Sequence, residues 1–320
     1  MQFRKGPALC MKPYPAALFA AVFLCIPALH AQSSSPAAAL AQGHVDEVIA
    51  MLAPAKDASA HNLLCRAFYS EDHADEAIRE CEAAVAAAPG NAVFHMWLGR
   101  AYGLKAGHSG AMSAFGLAKK AHVNMEKAVQ LDPHSADAIS DLGDYCVNAP
   151  GIVGGGLDKA TAIAQKLLAL DAPRGHRLLG EIAEKQKNIP QAETEFTAAA
   201  TGPSGYVDLA AFYKRHGSKA QVLTAVKSAV AADKSRDYSL ADAAGVLLES
   251  AQEPKLAQQL YRSYLDGPSR SEDAPACRVY TELGRNLAAA GDPAGAKKAF
   301  AAALALAKNY TPAEKAAAGK

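Results

Sequence analysis

Small and apolar residues recur along this chain at helical spacing, in segments that come in pairs. In the first segment of each pair an apolar residue, usually leucine, precedes a small one, and both belong to a run of apolar positions three and four residues apart. Such positions fall on one face of a helix, so each segment predicts an amphipathic helix. The small residue recurs every 30 to 44 positions, at Cys65, Gly99, Gly143, Gly180, Ala210, Gly245 and Gly284.

The second segment of each pair has its own small position and, four residues later, a usually bulkier one. The small positions are Ala77, Ala121, Ala160, Ala192, Val222, Ala257 and Ala296. The later positions are Cys81, Met125, Ala164, Phe196, Val226, Tyr261 and Phe300, with Ala164 the exception in size. Turn sequences such as Ala88-Pro89-Gly90-Asn91 close several pairs, because proline cannot continue a helix. The predicted unit is therefore a helical hairpin whose helices approach closely at the small positions.

The hairpin sequences resemble the tetratricopeptide repeat (TPR) family. The resemblance is carried by Trp97-Leu98-Gly99 with Tyr102, and by Ala121 followed by residues 126–133. It extends over residues 58–310 and implies an all-α fold, a right-handed α-α superhelix (solenoid) of about seven to eight helix-turn-helix units. Residues 32–57 contain a weaker unit that we interpret as a degenerate first repeat, and residues 311–320 are expected to form a C-terminal cap or tail.

Residues 1–31 have the organisation of a signal peptide. Three basic residues precede the apolar run 16–26, and Ala31 supplies a small residue for cleavage. We therefore predict export to the periplasm or secretion, with cleavage after Ala31 and no integral membrane span afterwards. A retained signal anchor is the alternative interpretation.

Two cysteines fall in matching positions of one predicted hairpin. Cys65 occupies the small position of the first helix, and Cys81 the bulky position of the second. In an oxidising compartment this placement predicts a disulfide. The alternative is a pair of buried thiols, since cysteine is among the most buried residue types.

The overall composition narrows the range of functions. Hydrophobic residues make up 50% of the chain, which is too many for a disordered protein, and aromatic residues only 7%, which disfavours β-sandwiches and barrels. The 33 basic and 32 acidic residues give a net charge of +1. This balance leaves no cationic surplus for nucleic acid, so a nucleic-acid partner is not expected.

The sequence offers little evidence for catalysis or for a cofactor. Histidines are scattered, and the spacings typical of zinc sites and of serine hydrolases are absent from the sequence, so no metal, cofactor or catalytic residue is predicted. The strongest enzymatic signal is Glu249-Ser250, which is similar to the catalytic Glu-Ser of exported lytic transglycosylases. The repeat pattern already accounts for Glu249, so glycan cleavage is the weaker interpretation.

The concave face of the array is the candidate binding site. The residues beside the packing positions of the first helices should line it, and they are Asn62, Arg66, Met96, Arg100, Asp144, Arg177, Glu181, Lys214 and Arg285. This mixture of charges resembles the peptide-holding surface of TPR proteins, although the Lys/Asn pairs of carboxylate-clamp members are absent. We therefore predict a non-catalytic scaffold or adaptor for a protein or peptide partner.

Several alternatives remain open from the sequence. The chain could instead be a structural subunit of a cell-envelope assembly that uses its convex face, and self-association is compatible with either role. Trp97 could anchor a partner or pack between units. The inserted residues 103–112 indicate elongated helices, with a mobile loop as the alternative, and the glycines of residues 149–156 indicate a turn rather than a phosphate-binding loop.

Overall fold

The computed structural model describes residues 35–319, and the predicted signal peptide and its cleavage site lie outside the described residues. Within this range the chain forms seventeen α-helices, one short 3-10 helix and no strand. The α-helices are α1 (Pro36–Ala41), α2 (Val45–Leu52), α3 (Ala58–Ser70), α4 (Ala74–Ala87), α5 (Ala92–Gly107), α6 (Ala111–Leu131), α7 (Ala136–Asn148), α8 (Leu157–Leu170), α9 (Ala172–Lys185), α10 (Ile189–Ala199), α11 (Pro203–His216), α12 (Lys219–Ala232), α13 (Tyr238–Glu249), α14 (Pro254–Leu265), α15 (Ala276–Ala289), α16 (Pro293–Leu306) and α17 (Thr311–Ala317). The 3-10 helix spans Gly151–Val153.

Local sequence signals fix where the helices begin. The Asp57 carboxylate accepts hydrogen bonds from the first amides of α3, and Asn91 does the same for α5. Ser218 and Gln221 form a reciprocal capping box at the start of α12. Several other helices begin with proline, whose missing N–H costs nothing at that position.

Consecutive helices pack as antiparallel hairpins in the predicted register. A Cβ added to Gly99 would lie 2.9 Å from the Met125 side chain, and one added to Gly284 would overlap the Phe300 ring. In these hairpins the small residue of the first helix thus admits the bulky residue of the second. Seven such hairpins run from α3 to α16, and the short pair α1 and α2 precedes them at the position of the degenerate repeat.

The two ends of the array meet, so the superhelix closes on itself. Buried residues of α1, α2 and α3 share one apolar cluster with Cys277 of α15, with residues of α16 and with residues 307–313. The Lys308 backbone N–H donates to the Asp46 carboxylate at 2.8 Å, and a ring nitrogen of His73 lies 3.1 Å from the Asn309 carbonyl oxygen. We call this contact between α1–α3 and α15–α17 the closure. The C-terminal segment contributes α17, whose Ala313 is fully buried there.

A disulfide joins the two helices of the first full hairpin. Cys65 of α3 and Cys81 of α4 are bonded, with their Cα atoms 5.2 Å apart. Both residues are fully buried and belong to the cluster that contains Leu98 and Tyr102 of the next unit. The disulfide therefore links two helices that also pack against the next hairpin.

The two insertions extend hairpins. Residues 103–112 lengthen α5 and α6 into a hairpin closed by the short turn 108–110, as the favoured sequence interpretation expected. Residues 149–156 contain the 3-10 helix, which is held against α6 because the Tyr145 hydroxyl lies within 2.9 Å of the Ala118 and Val153 carbonyl oxygens. The glycines there make the turn, since Gly154 and Gly156 have positive φ.

Candidate functional site

The first helices of the hairpins line the inner face of the closed array, and charged side chains are concentrated there. Arg100 of α5 makes a bidentate ion pair with Asp141 of α7, at 2.5 and 3.0 Å. Arg177 of α9 bonds to Asp144 at 2.6 Å and also pairs with Glu181. These pairs join three successive hairpins through α5, α7 and α9, so this part of the inner face is a polar network.

One cavity of the inner face lies at the closure. It has a volume of about 430 Å³ and is lined by the first units of the array and by the segment entering α15. Trp97 lies on its wall with its ring edge-to-face against Tyr69 at 5.5 Å. The guanidinium carbons of Arg100 and Arg66 lie 4.7 and 5.4 Å from the Trp97 ring centre, which is cation–π geometry. Trp97 therefore packs between units, as one of its two sequence interpretations expected, and it also lines this cavity.

The Arg66 guanidinium joins the two ends of the closed array through an ion pair. It forms a two-point ion pair with Glu272, a residue 206 positions later in the segment before α15. The Arg66 side chain is 24% exposed and the Glu272 side chain 14%. A paired, partly buried arginine fits a structural role in joining the two ends, although the pair borders the closure cavity.

A second cavity, of about 470 Å³, lies between α11, α13 and α15; we call it the acidic cavity. Its wall combines apolar residues, among them Val207, Val246 and Tyr261, with carboxylates. The charged residues on this wall are Asp208, Asp242, Glu249, Glu282 and Arg278. Because Arg278 also lines the closure cavity, the two cavities adjoin.

Burial changes the ionisation of the inner-face carboxylates. Desolvation raises the pKa of Asp208 and of Asp242 to about 6 each, and Arg278, whose guanidinium is 3.7 Å from Asp242, only partly offsets the effect on that residue. Burial likewise raises the pKa of Glu181 to about 7, although Arg177 lowers it and Asp144 raises it further. The inner face thus holds carboxylates that titrate near neutral pH and whose negative charge is incompletely compensated.

Two of the predicted groove residues are not on the inner surface. Asn62 and Met96 are buried, with exposures of 3% and 7%. Met96 packs with Ala128 of α6 and Ala138 of α7, and Asn62 lies on α3, which is covered by helices on both sides. The prediction that these two side chains line the groove is therefore wrong. Arg177 has the same repeat position and does lie on the inner face, so the repeat position alone does not determine which way a side chain points.

Two further predicted residues lie at the edge of the inner face. Lys214, near the end of α11, pairs with Glu249 at the end of α13. Arg285 is 47% exposed and pairs with Glu282. The Glu249 side chain is 65% exposed, whereas a glycosidic general acid needs a buried environment that raises its pKa. This position does not favour the glycan-cleaving alternative.

The sequence prediction missed four inner-face residues, Asp141, Asp208, Asp242 and Arg278. They lie two, two, three and six positions before the small residues of their helices, whereas six of the nine predicted residues lie after the small residue. Their presence on first helices was visible in the sequence. Their orientation depends on the small rotation between successive hairpins, which the repeat pattern does not specify.

Neither a metal site nor a membrane-spanning helix is present in the part of the chain that the structure describes. Among residues 35–319, no three or more His, Cys, Asp or Glu side chains are grouped in a way that could hold a metal ion. No helix in the same range has both the length and the hydropathy to cross a bilayer.

Comparison with solved structures identifies the fold. Yeast Tom70 is similar over 86% of this chain and 58% of its own, with a TM-score of 0.53 and 14% sequence identity. A thermophilic TPR protein of Thermus thermophilus matches 60% of this chain and 93% of its own, with a TM-score of 0.44 and 18% identity. No protein-family model and no curated protein matches the sequence.

The likeness to Tom70 and the hairpin packing define the class of structure. The chain has the TPR fold, an all-α superhelical array of helix-turn-helix units, as the sequence resemblance implied. It spans a little over half the length of the Tom70 chain, so the likeness concerns the repeat array and carries no function with it.

Proposed function

We propose that this chain is a non-catalytic scaffold that holds a segment of a protein partner on the inner face of its closed TPR array. The observation that carries the proposal is the acidic cavity, where carboxylates stand beside apolar side chains of three successive first helices. Such a wall offers both hydrogen-bond acceptors and apolar contact, which is the combination used for extended protein segments. Arg278 and the neighbouring ion pairs add donors.

We also propose that the protein acts outside the cytoplasm. The signal-like residues 1–31 motivate this proposal, and the Cys65–Cys81 disulfide supports it because such bonds persist in oxidising compartments. Detection of the mature protein in a periplasmic or culture-medium fraction, beginning at Gln32, tests it. An uncleaved protein in the cytoplasmic fraction would refute it.

Site-specific photo-cross-linking tests the binding face. A photoreactive amino acid replaces Glu249, which is exposed at the rim of the acidic cavity. The matched control carries it at Lys227, an exposed position on the second helix of a hairpin. We expect protein adducts from position 249 and none from position 227, with adduct yield reduced by Asp208→Asn combined with Asp242→Asn. Equal yields at both positions, or none, would refute an inner-face scaffold.

A role as a structural subunit is the second candidate, and one surface favours it. The elongated hairpin of α5 and α6 exposes Met112 and Phe115, at 94% and 40%, and Ile152 beside it is 73% exposed. Exposed apolar side chains of this size can mark contact surfaces. Adducts obtained from a photoreactive residue at Met112 and not at position 249 would favour this alternative.

A further inference from the structure

Glu71, the residue directly after α3, is buried with only partial compensation of its charge. Its side chain has 0% exposure, and neither carboxylate oxygen has a hydrogen-bond partner. Burying a carboxylate is unfavourable unless it is paired, hydrogen-bonded or neutral. The Nδ1 atom of the His73 ring lies 3.5 Å from Glu71 Oε2. A carboxyl group in this setting is best accommodated when it carries a proton.

Glu71 lies inside the closure. Ser70, the preceding residue, has its carbonyl oxygen 3.8 Å from the Cys277 sulfur of α15. Titratable and charged groups from both ends of the array act on Glu71, together with one backbone amide. They are His73 on its own segment, Asp46 of α2, Lys308 and the Asn309 amide after α16, and Cys277 of α15. Glu71 is therefore shielded from water by the two ends of the array together.

The balance of these groups favours the neutral acid. Burial raises the pKa of Glu71 above its ordinary value, and Asp46 raises it further. His73, the Asn309 amide and Lys308 lower it in part. Opening the closure would return Glu71 to water and to its ordinary pKa.

We propose that the closure is a protonation-dependent joint, which is tightest when Glu71 is neutral and opens more readily when Glu71 is ionised. The joint is a property of the array itself. Only its use, which would be to admit a partner segment to the inner face, rests on the proposed function.

The direction of the pH effect follows from proton binding. Between the ordinary pKa of glutamate and the raised pKa in the closed array, the closed state binds more protons than the open one. Raising the pH through this interval therefore favours opening, by up to about tenfold for each pH unit. Above the raised pKa the effect reaches a plateau, because Glu71 is then ionised in both states.

Hydrogen exchange of the full mature chain, without any partner, tests the proposal. We would measure protection factors, corrected for the intrinsic pH dependence of exchange, for peptides covering 45–52 and 303–317 from pH 4.5, the ordinary pKa of glutamate, to pH 8. We expect protection of both peptides to fall as the pH rises, while peptides from α12, whose only titratable side chains are Lys219 and Lys227, remain constant. Constant protection at the closure, or an equal fall in α12, would overturn the proposal.

Two variants test whether Glu71 is the group that makes closure protection depend on pH. Glu71→Gln keeps the shape of the side chain and removes its charge, so closure protection should become independent of pH. The matched control is Glu195→Gln, which removes a carboxylate 2.8 Å from the His176 ring, far from the closure. This control should retain the wild-type pH dependence. An unchanged pH dependence in Glu71→Gln would overturn the assignment, as would loss of its fold by circular dichroism, because a neutral residue should be tolerated there.

Discussion

The closure makes a quantitative prediction for one buried leucine. Leu40 of α1 is 2% exposed and lies in the apolar cluster that joins the two ends of the array. Other members of this cluster include Val48 of α2, Ala303 of α16, and Ala307 and Tyr310 after it. The change Leu40→Ala therefore removes apolar surface from the cluster that the two ends of the array share.

The expected loss of stability in Leu40→Ala can be worked out from the burial of the leucine side chain. Replacing a fully buried leucine by alanine costs about 2–5 kcal/mol, because the transfer free energy is lost and a cavity remains. At the lower limit of about 2 kcal/mol, the equilibrium constant for opening the closure rises roughly 30-fold. Leu178→Ala is the matched control, since Leu178 is fully buried in a cluster of α7, α8 and α9 away from the closure.

Hydrogen exchange at one pH distinguishes the two variants. In Leu40→Ala the peptides covering 303–317 should exchange roughly 30-fold faster, although they are more than 260 residues away in sequence. In Leu178→Ala exchange should increase in α7 to α9, with 303–317 unaffected. If Leu40→Ala accelerates exchange only in α1 and α2, the two ends of the array do not stabilise one another and the reasoning fails.

Three further predictions concern other parts of the array. Replacing both Cys65 and Cys81 by alanine should lower the free energy of unfolding in urea by up to about 3 kcal/mol, and reductant should then have no further effect. Gly155→Ala should lower the melting temperature, because an added Cβ would overlap the Ala149 carbonyl oxygen, whereas Gly151→Ala, which has open space, should not. Asp208→Asn should stabilise the protein by about 1–2 kcal/mol at pH 7.5 and leave it unchanged at pH 4, as measured by thermal unfolding. The sign of this stability change follows from the raised Asp208 pKa of about 6, since wild-type stability falls as the carboxyl ionises between pH 4 and pH 6. Equal stabilisation at both pH values would contradict this reasoning.

The sequence pattern was sufficient for the helices and for their packing within hairpins. Small residues such as Gly284 and bulky ones such as Phe300 meet as the repeat register predicts, because contacts within a hairpin depend only on local spacing. The same spacing placed Cys65 opposite Cys81, and the structure contains that bond. Elongation of the α5–α6 hairpin also followed from helical periodicity.

The closure and the exact set of inner-face residues could not be derived from the repeat spacing. The contact between Asp46 and Lys308 joins residues 262 positions apart, and it depends on curvature summed over all the hairpins. Sequence reasoning also placed Met96 in the groove, whereas its position faces the neighbouring hairpin and is buried. Asp208 and Asp242 were missed because the residue that points inward changes as the array rotates.

Small-angle X-ray scattering of the mature chain in solution tests the central claim, that the TPR array is closed, most directly. We predict a scattering profile and a maximum dimension that match residues 35–319 with α1–α3 in contact with α15–α17. An open superhelix would be longer, and its pair-distance distribution would carry an extended tail. A profile that fits only such an open array would contradict the closure and, with it, the enclosed inner face on which the proposed function rests.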